Sequence, residues 1–192
     1  MRWLWPPRFL ADVKAKCKST ALYSFVRLPL LCVPQHEEHT CGLCAATVVY
    51  HYYGLYCNHL RDGLCTDDKI MVIPGTDGVL PHQMVRMLSS DGFEMTGASF
   101  NHGSLAAAER NLRAGHPGLM LIDAFDAPHW VVLGGYGKNY ILYMDSLCGW
   151  VAMLKSEAFD RVHGIWRLKY DGKCRLTLGL AGWRPLLENA IV

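Results

Sequence analysis

Residues Gln35-His36-Glu37-Glu38-His39-Thr40-Cys41-Gly42-Leu43-Cys44 hold most of the chemistry this sequence offers. A cysteine in the first turn of a buried helix sits among amide N–H groups that have no partner within the helix. Those groups and the helix dipole favour the thiolate and lower the thiol pKa. The Cys41 amide is one such donor, and Gly42 leaves room for a substrate to approach. Gln35 lies six residues upstream on an extended segment that can fold back, so its side-chain amide is a candidate second donor to an oxyanion. Taken alone, Cys41 reads equally well as a buried apolar cysteine.

A thiolate nucleophile needs a base. Of the nine histidines, His36 and His39 fall in a loop, and His51 and His59 fall on the helix and its exit. His82, His102, His116 and His163 fall beside turns or helix edges. His129 differs, because it follows Asp126-Ala127-Pro128 and opens the apolar run Trp130-Val131-Val132-Leu133. At the rim of a buried strand an imidazole is held rigidly and can face a cleft. The next apolar run, Tyr140–Met144, leads into Asp145. If the two runs pair as a hairpin, Asp145 comes near His129, where a carboxylate fixes the tautomer and stabilises the imidazolium. Separately, His129 also reads as a core-edge histidine and Asp145 as a turn aspartate.

Pro34-Gln35, Thr40-Cys41-Gly42, the segment His129–Tyr136 and Tyr143-Met144-Asp145 together resemble the C39 family of papain-like peptidases. That family includes the bacteriocin-leader processing domains and their stand-alone relatives. The resemblance spans roughly residues 28–155. It implies a papain-like fold with Cys41 as nucleophile, His129 as base, Asp145 as its orienter and Gln35 in the oxyanion hole. It also implies a peptide or protein substrate, with small residues such as Gly-Gly before the bond if a leader is cut. Two positions depart from the family. Thr40 stands where Asp is common, and Ser146 follows Asp145 where Pro is common. Papain-like folds also run acyl transfer, transpeptidation and deamidation. The order Cys, His, Asp is shared with phytochelatin-synthase-like enzymes, and a non-catalytic binding module on the same fold is the rival from another class.

The elements that must position these groups can be read from patterning. A helix is expected from Cys41 to about Tyr53, with Thr40 in the N-cap position and Gly54 as its stop. Further helices are expected near Leu80–Ser90 and from Ser104 to Ala114. Strands are expected near Phe93–Ala98, Leu119–Asp123, Trp130–Leu133, Tyr140–Met144, Val151–Leu154 and Ile165–Tyr170. Gly134-Gly135-Tyr136-Gly137-Lys138-Asn139 suits a hairpin turn. Helices first and a mostly antiparallel sheet later indicate α+β. Residues 1–27 read as an N-terminal extension, helical in part, and residues 28–192 as the peptidase domain. Residues 55–78 are rich in loop signals.

Composition bounds the rest. The chain has 192 residues, 51% hydrophobic and 19% charged, with a net charge of +2. That is globular composition without an electrostatic case for nucleic acid. Thr40–Leu60 carries no Lys, Arg, Asp or Glu, but His51, Gly54, Asn58 and His59 and the absence of basic flanks favour a buried helix over a membrane span. The start, Met1-Arg2-Trp3-Leu4-Trp5-Pro6-Pro7-Arg8, has no secretory pattern. A cytoplasmic, reducing location with free thiols is therefore expected for the eight cysteines. Cys41-x-x-Cys44 admits a redox pair or half a zinc site, but Cys57, Cys65 and the histidines complete no zinc spacing. Cys44 is read as core packing. No cofactor or metal is expected, and oligomeric state is not legible.

Overall fold

The computed structural model describes residues 26–35, 39–55, 78–124 and 127–170. The leader, the C-terminal 22 residues, most of the 55–78 stretch, and Cys17, Cys57, Cys65 and Cys174 lie outside them. Among the described residues the order is β1 (Val26–Arg27), α1 (Cys41–Tyr52), α2 (Pro81–Ser90), β2 (Phe93–Ser99), α3 (His102–Arg113), β3 (Gly118–Ala124), β4 (Ala127–Tyr136), β5 (Tyr140–Asp145), β6 (Gly149–Leu154), α4 (Lys155–Arg161) and β7 (Val162–Tyr170).

Every strand pair is antiparallel, in the order β2-β7-β3-β4-β5-β6, and β1 adds to β4. This is the α+β architecture that the order of helices and strands predicts: a helix near the chain's start packed on an antiparallel sheet. Helix α1 is buried from Cys41 through Tyr50 and packs chiefly on β4. A helix with no charged residue and no polar face is stable only inside a core, and the sheet supplies that core. No helix among the described residues is long and apolar enough to cross a membrane. The helix ends as expected, with Tyr53 in the C-cap position and Gly54 at φ +68°, a conformation that suits glycine.

Four expectations need correction. The run Gly134-Gly135-Tyr136 is strand, not turn, and the reversal occupies only residues 137–139. Register on β5 shifts between Leu133 and Gly135, so Gly134 is the extra residue of a β-bulge. A Cβ on Gly134 would meet Leu30 at 2.4 Å, and one on Gly135 would meet the Val26 carbonyl oxygen at 2.5 Å. These glycines admit neighbouring backbone and side chains; they do not turn the chain. Helix α3 starts two residues early because Asn101 and Ser104 cap it reciprocally, each side chain bonding the other's backbone N–H at 2.9 Å. Helix α4 went unread because seven residues leave little periodicity. Thr40 occupies the N-cap position, but its hydroxyl makes no capping bond to the helix backbone.

Strand β4 carries the mechanical weight, since β3 and β5 flank it and α1 lies across it. Leu133→Ala, at a fully buried β4 position, is expected to cost roughly 2–5 kcal/mol. Urea unfolding checks this: the midpoint should fall with the slope unchanged.

Candidate active site

Three elements meet at the site. Helix α1 presents Cys41 in its first turn. Strand β4 brings His129 as its third residue, and β5 ends on Asp145. His129 Nε2–H donates to Asp145 Oδ1 at 3.1 Å. The His129 ring also hydrogen-bonds the Cys41 thiol, which leaves Nδ1 as the nitrogen for the sulfur. The strands place these groups by register. β5 pairs with β4 only from Val132 inward, so His129 and Trp130 lie past the last ladder pair, where side chain and backbone can serve the helix end instead.

Gln35 comes to the same place from the extended segment. Its backbone N–H donates to the Ser146 carbonyl at 3.0 Å, and its side-chain Oε1 accepts from the Ser146 hydroxyl at 2.9 Å. The Pro34 carbonyl lies 3.8 Å from Cys44 Sγ, which seats this segment against the first turns of α1. The structure thus links Cys41, His129 and Asp145 directly and seats Gln35 on Ser146, the residue after Asp145.

The electrostatics follow from partners. Burial pushes the Cys41 pKa up, but the His129 hydrogen bond, the Trp130 amide, the His129 charge and the Gly42 amide outweigh it, and the pKa falls below the ordinary 9.0. Burial pulls the His129 pKa down. Hydrogen bonds to Asp145 and Cys41, and the charges of both, raise it instead from 6.5 to about 9. Both shifts run in the direction that favours the charged forms, thiolate and imidazolium. The other described cysteines go the opposite way. Burial raises Cys44 to about 11, and burial and the nearby Asp145 raise Cys32 and Cys148. All four carry free thiols.

Asp145 is itself held. Its Oδ1 accepts the Leu147 amide at 2.8 Å, and the Cys148 thiol bonds its carboxylate. Gly42 and Trp130 fix the spacing between helix and strand. A Cβ on Gly42 would meet Val79 Cβ at 2.7 Å, and the Trp130 indole N–H donates to the Val79 carbonyl at 2.6 Å. Patterning did not single out Trp130, Ser146 or Cys148. A buried indole N–H needs an acceptor, and that was the available signal for Trp130. Among the described residues no cluster of His, Cys, Asp and Glu could hold a metal ion.

Comparison with solved structures bears on the fold. The double-glycine-motif protease of an AMS/PCAT transporter, crystallised with the leader peptide, matches with a TM-score of 0.54 at 18% identity, covering 75% of this chain and 94% of that one. The chain has the C39 peptidase fold. The peptidase domain of Streptococcus ComA, a bifunctional ABC transporter, gives 0.51 at 18% identity over 72% and 96% of the two chains. A Bacillus anthracis chain described as a C39-like peptidase gives 0.52 at 13% identity over 76% and 98%. No family model and no curated protein matches the sequence.

The lowered Cys41 pKa predicts its reactivity. Below pH 9.0, the ordinary thiol value, iodoacetamide should alkylate Cys41 faster than the other described cysteines. In His129→Ala burial is left without its main counterweight, so the pH profile of Cys41 alkylation should move to higher pH. Mass-mapped alkylation rates between about pH 4 and 10 check both, and matching profiles in the two proteins would remove His129 from the site.

Proposed function

We propose that this chain is a cysteine peptidase that hydrolyses a peptide bond through the Cys41 thiolate. One observation carries the reading: the buried Cys41 thiol in the first turn of α1 meets the His129 imidazole, which is itself bonded to the buried Asp145 carboxylate at 3.1 Å. The thiolate attacks the amide carbonyl carbon. Gln35 and the Cys41 amide hold the oxyanion, and the His129 imidazolium protonates the leaving amine. His129 then takes a proton from water, which cleaves the thioester. Asp145 holds His129 in the tautomer this requires.

The leader peptide bound to the AMS/PCAT neighbour supports an extended peptide as substrate, with small residues before the cut. Free thiols in the described part of the chain suit a reducing compartment, and we place the protein in the cytoplasm. Acyl transfer shares the first half-reaction, so product masses separate the two: hydrolysis adds water, whereas transfer joins two substrates.

A peptide-library cleavage profile tests the reading directly. Wild type should yield cuts that vanish in Cys41→Ala; cuts that persist at full rate would end the proposal. Gln35→Ala should lower kcat by about 100–1000-fold, the usual cost of one oxyanion donor. The pH profile has a stated sign. Because His129 must donate a proton, kcat/KM should fall as pH rises through about 9, while alkylation of Cys41 continues. In Asp145→Asn that descending limb should move to lower pH, since the carboxylate that raises His129 is gone.

A further inference from the structure

Ser146 follows Asp145 where the resembling family commonly has proline. Its side chain is nevertheless buried and engaged, at 8% exposure. The hydroxyl donates to Gln35 Oε1 at 2.9 Å, while the Ser146 carbonyl accepts the Gln35 backbone N–H at 3.0 Å. The two bonds clamp one residue at backbone and side chain at once. A glutamine side chain has three rotatable bonds and an amide whose two ends are alike in shape. A bond to Oε1 fixes both the amide plane and which end faces away, so the Nε2 group is turned to the opposite side.

The turn that carries Ser146 is itself rigid. Asp145 pairs with Gly149 across a three-residue loop, Gly149 takes φ +79°, and Asp145 Oδ1 accepts the Leu147 amide at 2.8 Å. Proline could occupy position 146 in such a turn but has no hydroxyl to offer.

We propose that Ser146 is a positioning residue that orients the Gln35 side-chain amide as oxyanion donor, so that one short turn sets both the imidazole, through Asp145, and the oxyanion hole, through Ser146. This rests on the peptidase reading above. It predicts an effect confined to the tetrahedral state. The Ser146 hydroxyl is spent on Gln35, whereas the sulfur and the imidazole draw on other partners. Asp145 likewise keeps the Leu147 amide and His129 when the hydroxyl is lost.

The test uses the full chain and four proteins: Ser146→Ala, Ser146→Thr, Gln35→Ala and the double variant Ser146→Ala/Gln35→Ala. Gln35 and Gln83 are the only glutamines, so the Gln35 side-chain amide resonances can be assigned in a ¹⁵N-labelled sample by their loss in Gln35→Ala. In Ser146→Ala those resonances should move toward free-glutamine positions and sharpen. Peptide-cleavage kcat should fall about three- to tenfold, the worth of one modest hydrogen bond, with KM and the Cys41 alkylation profile unchanged. Ser146→Thr, which keeps the hydroxyl, should recover the rate. In the Gln35→Ala background, Ser146→Ala should cost nothing further, because the group it acts through is already gone.

Three results would overturn the inference: unmoved Gln35 resonances in Ser146→Ala, an equal loss of kcat in both backgrounds, or a shifted alkylation profile that assigns Ser146 to Asp145 instead. Failure of the peptidase reading looks different. There the wild type cleaves no peptide at all, while the response of the Gln35 resonances to Ser146→Ala still reports whether the clamp exists.

Discussion

Everything at this site depends on supplying a thiol and an imidazole with partners where water scarcely reaches them. Cys41 and His129 are each only 6% exposed. Burial disfavours the thiolate and the imidazolium alike, and for both groups it is the largest single influence. A buried ion pair persists only when further hydrogen bonds replace the lost solvent. Here they do. The sulfur has the imidazole and the Trp130 and Gly42 amides, and the imidazole has Asp145. The carboxylate in turn has the Leu147 amide and the Cys148 thiol. The chain of partners ends in the short turn that the pairing of Asp145 with Gly149 closes.

The scaffold makes this possible by leaving backbone groups unspent at defined places. The first turn of α1 has amides without helical partners, and β4 runs past the end of its ladder with β5. These two ends approach closely, and Gly42 permits it: a Cβ there would meet Trp130 Cδ1 of β4 at 3.2 Å, besides Val79. The Trp130 indole, bonded to the Val79 carbonyl and tilted against Trp166 with ring centroids 5.0 Å apart, holds the same strand from the other direction. The bulge at Gly134 adds local twist to β4. The helix that carries the sulfur is apolar on every side, so it cannot shift without exposing core.

How much of this could be read beforehand depended on whether a group's chemistry is written in its side chain. Cys41, His129, Asp145 and Gln35 could be singled out because each type has a function in acyl chemistry, and their order in the chain is unusual as a set. Helix α1 was legible because twenty-one residues without charge follow a plausible start. The amides of Gly42 and Trp130 were not, since a backbone N–H has no sequence signature. Ser146 was visible only as a departure, because a serine after an aspartate reads as ordinary turn chemistry. The Gly134-Gly135 pair misled for a related reason. Glycine marks positive φ and close backbone approach equally well, and only the neighbours, Leu30 and Val26, tell them apart. Strand existence was easier to read than strand extent, as β4 shows, because pairing partners decide where a strand stops.

Cys41 and Cys44 isolate what position on a helix does to a thiol. Both are buried on α1, one turn apart. The Cys44 amide already donates to the Thr40 carbonyl at 2.9 Å, so it belongs to the helical ladder. Its sulfur looks toward the Pro34 carbonyl and the Thr40 hydroxyl, both oxygen partners. Burial then acts with little opposition and lifts the thiol to about 11. Cys41 meets the same burial but sits where helix amides and the strand rim still have donors to give, and where an imidazolium can stand. A shift of three residues along one helix thus separates a thiol of lowered pKa from one of raised pKa. Core packing therefore suffices to account for Cys44.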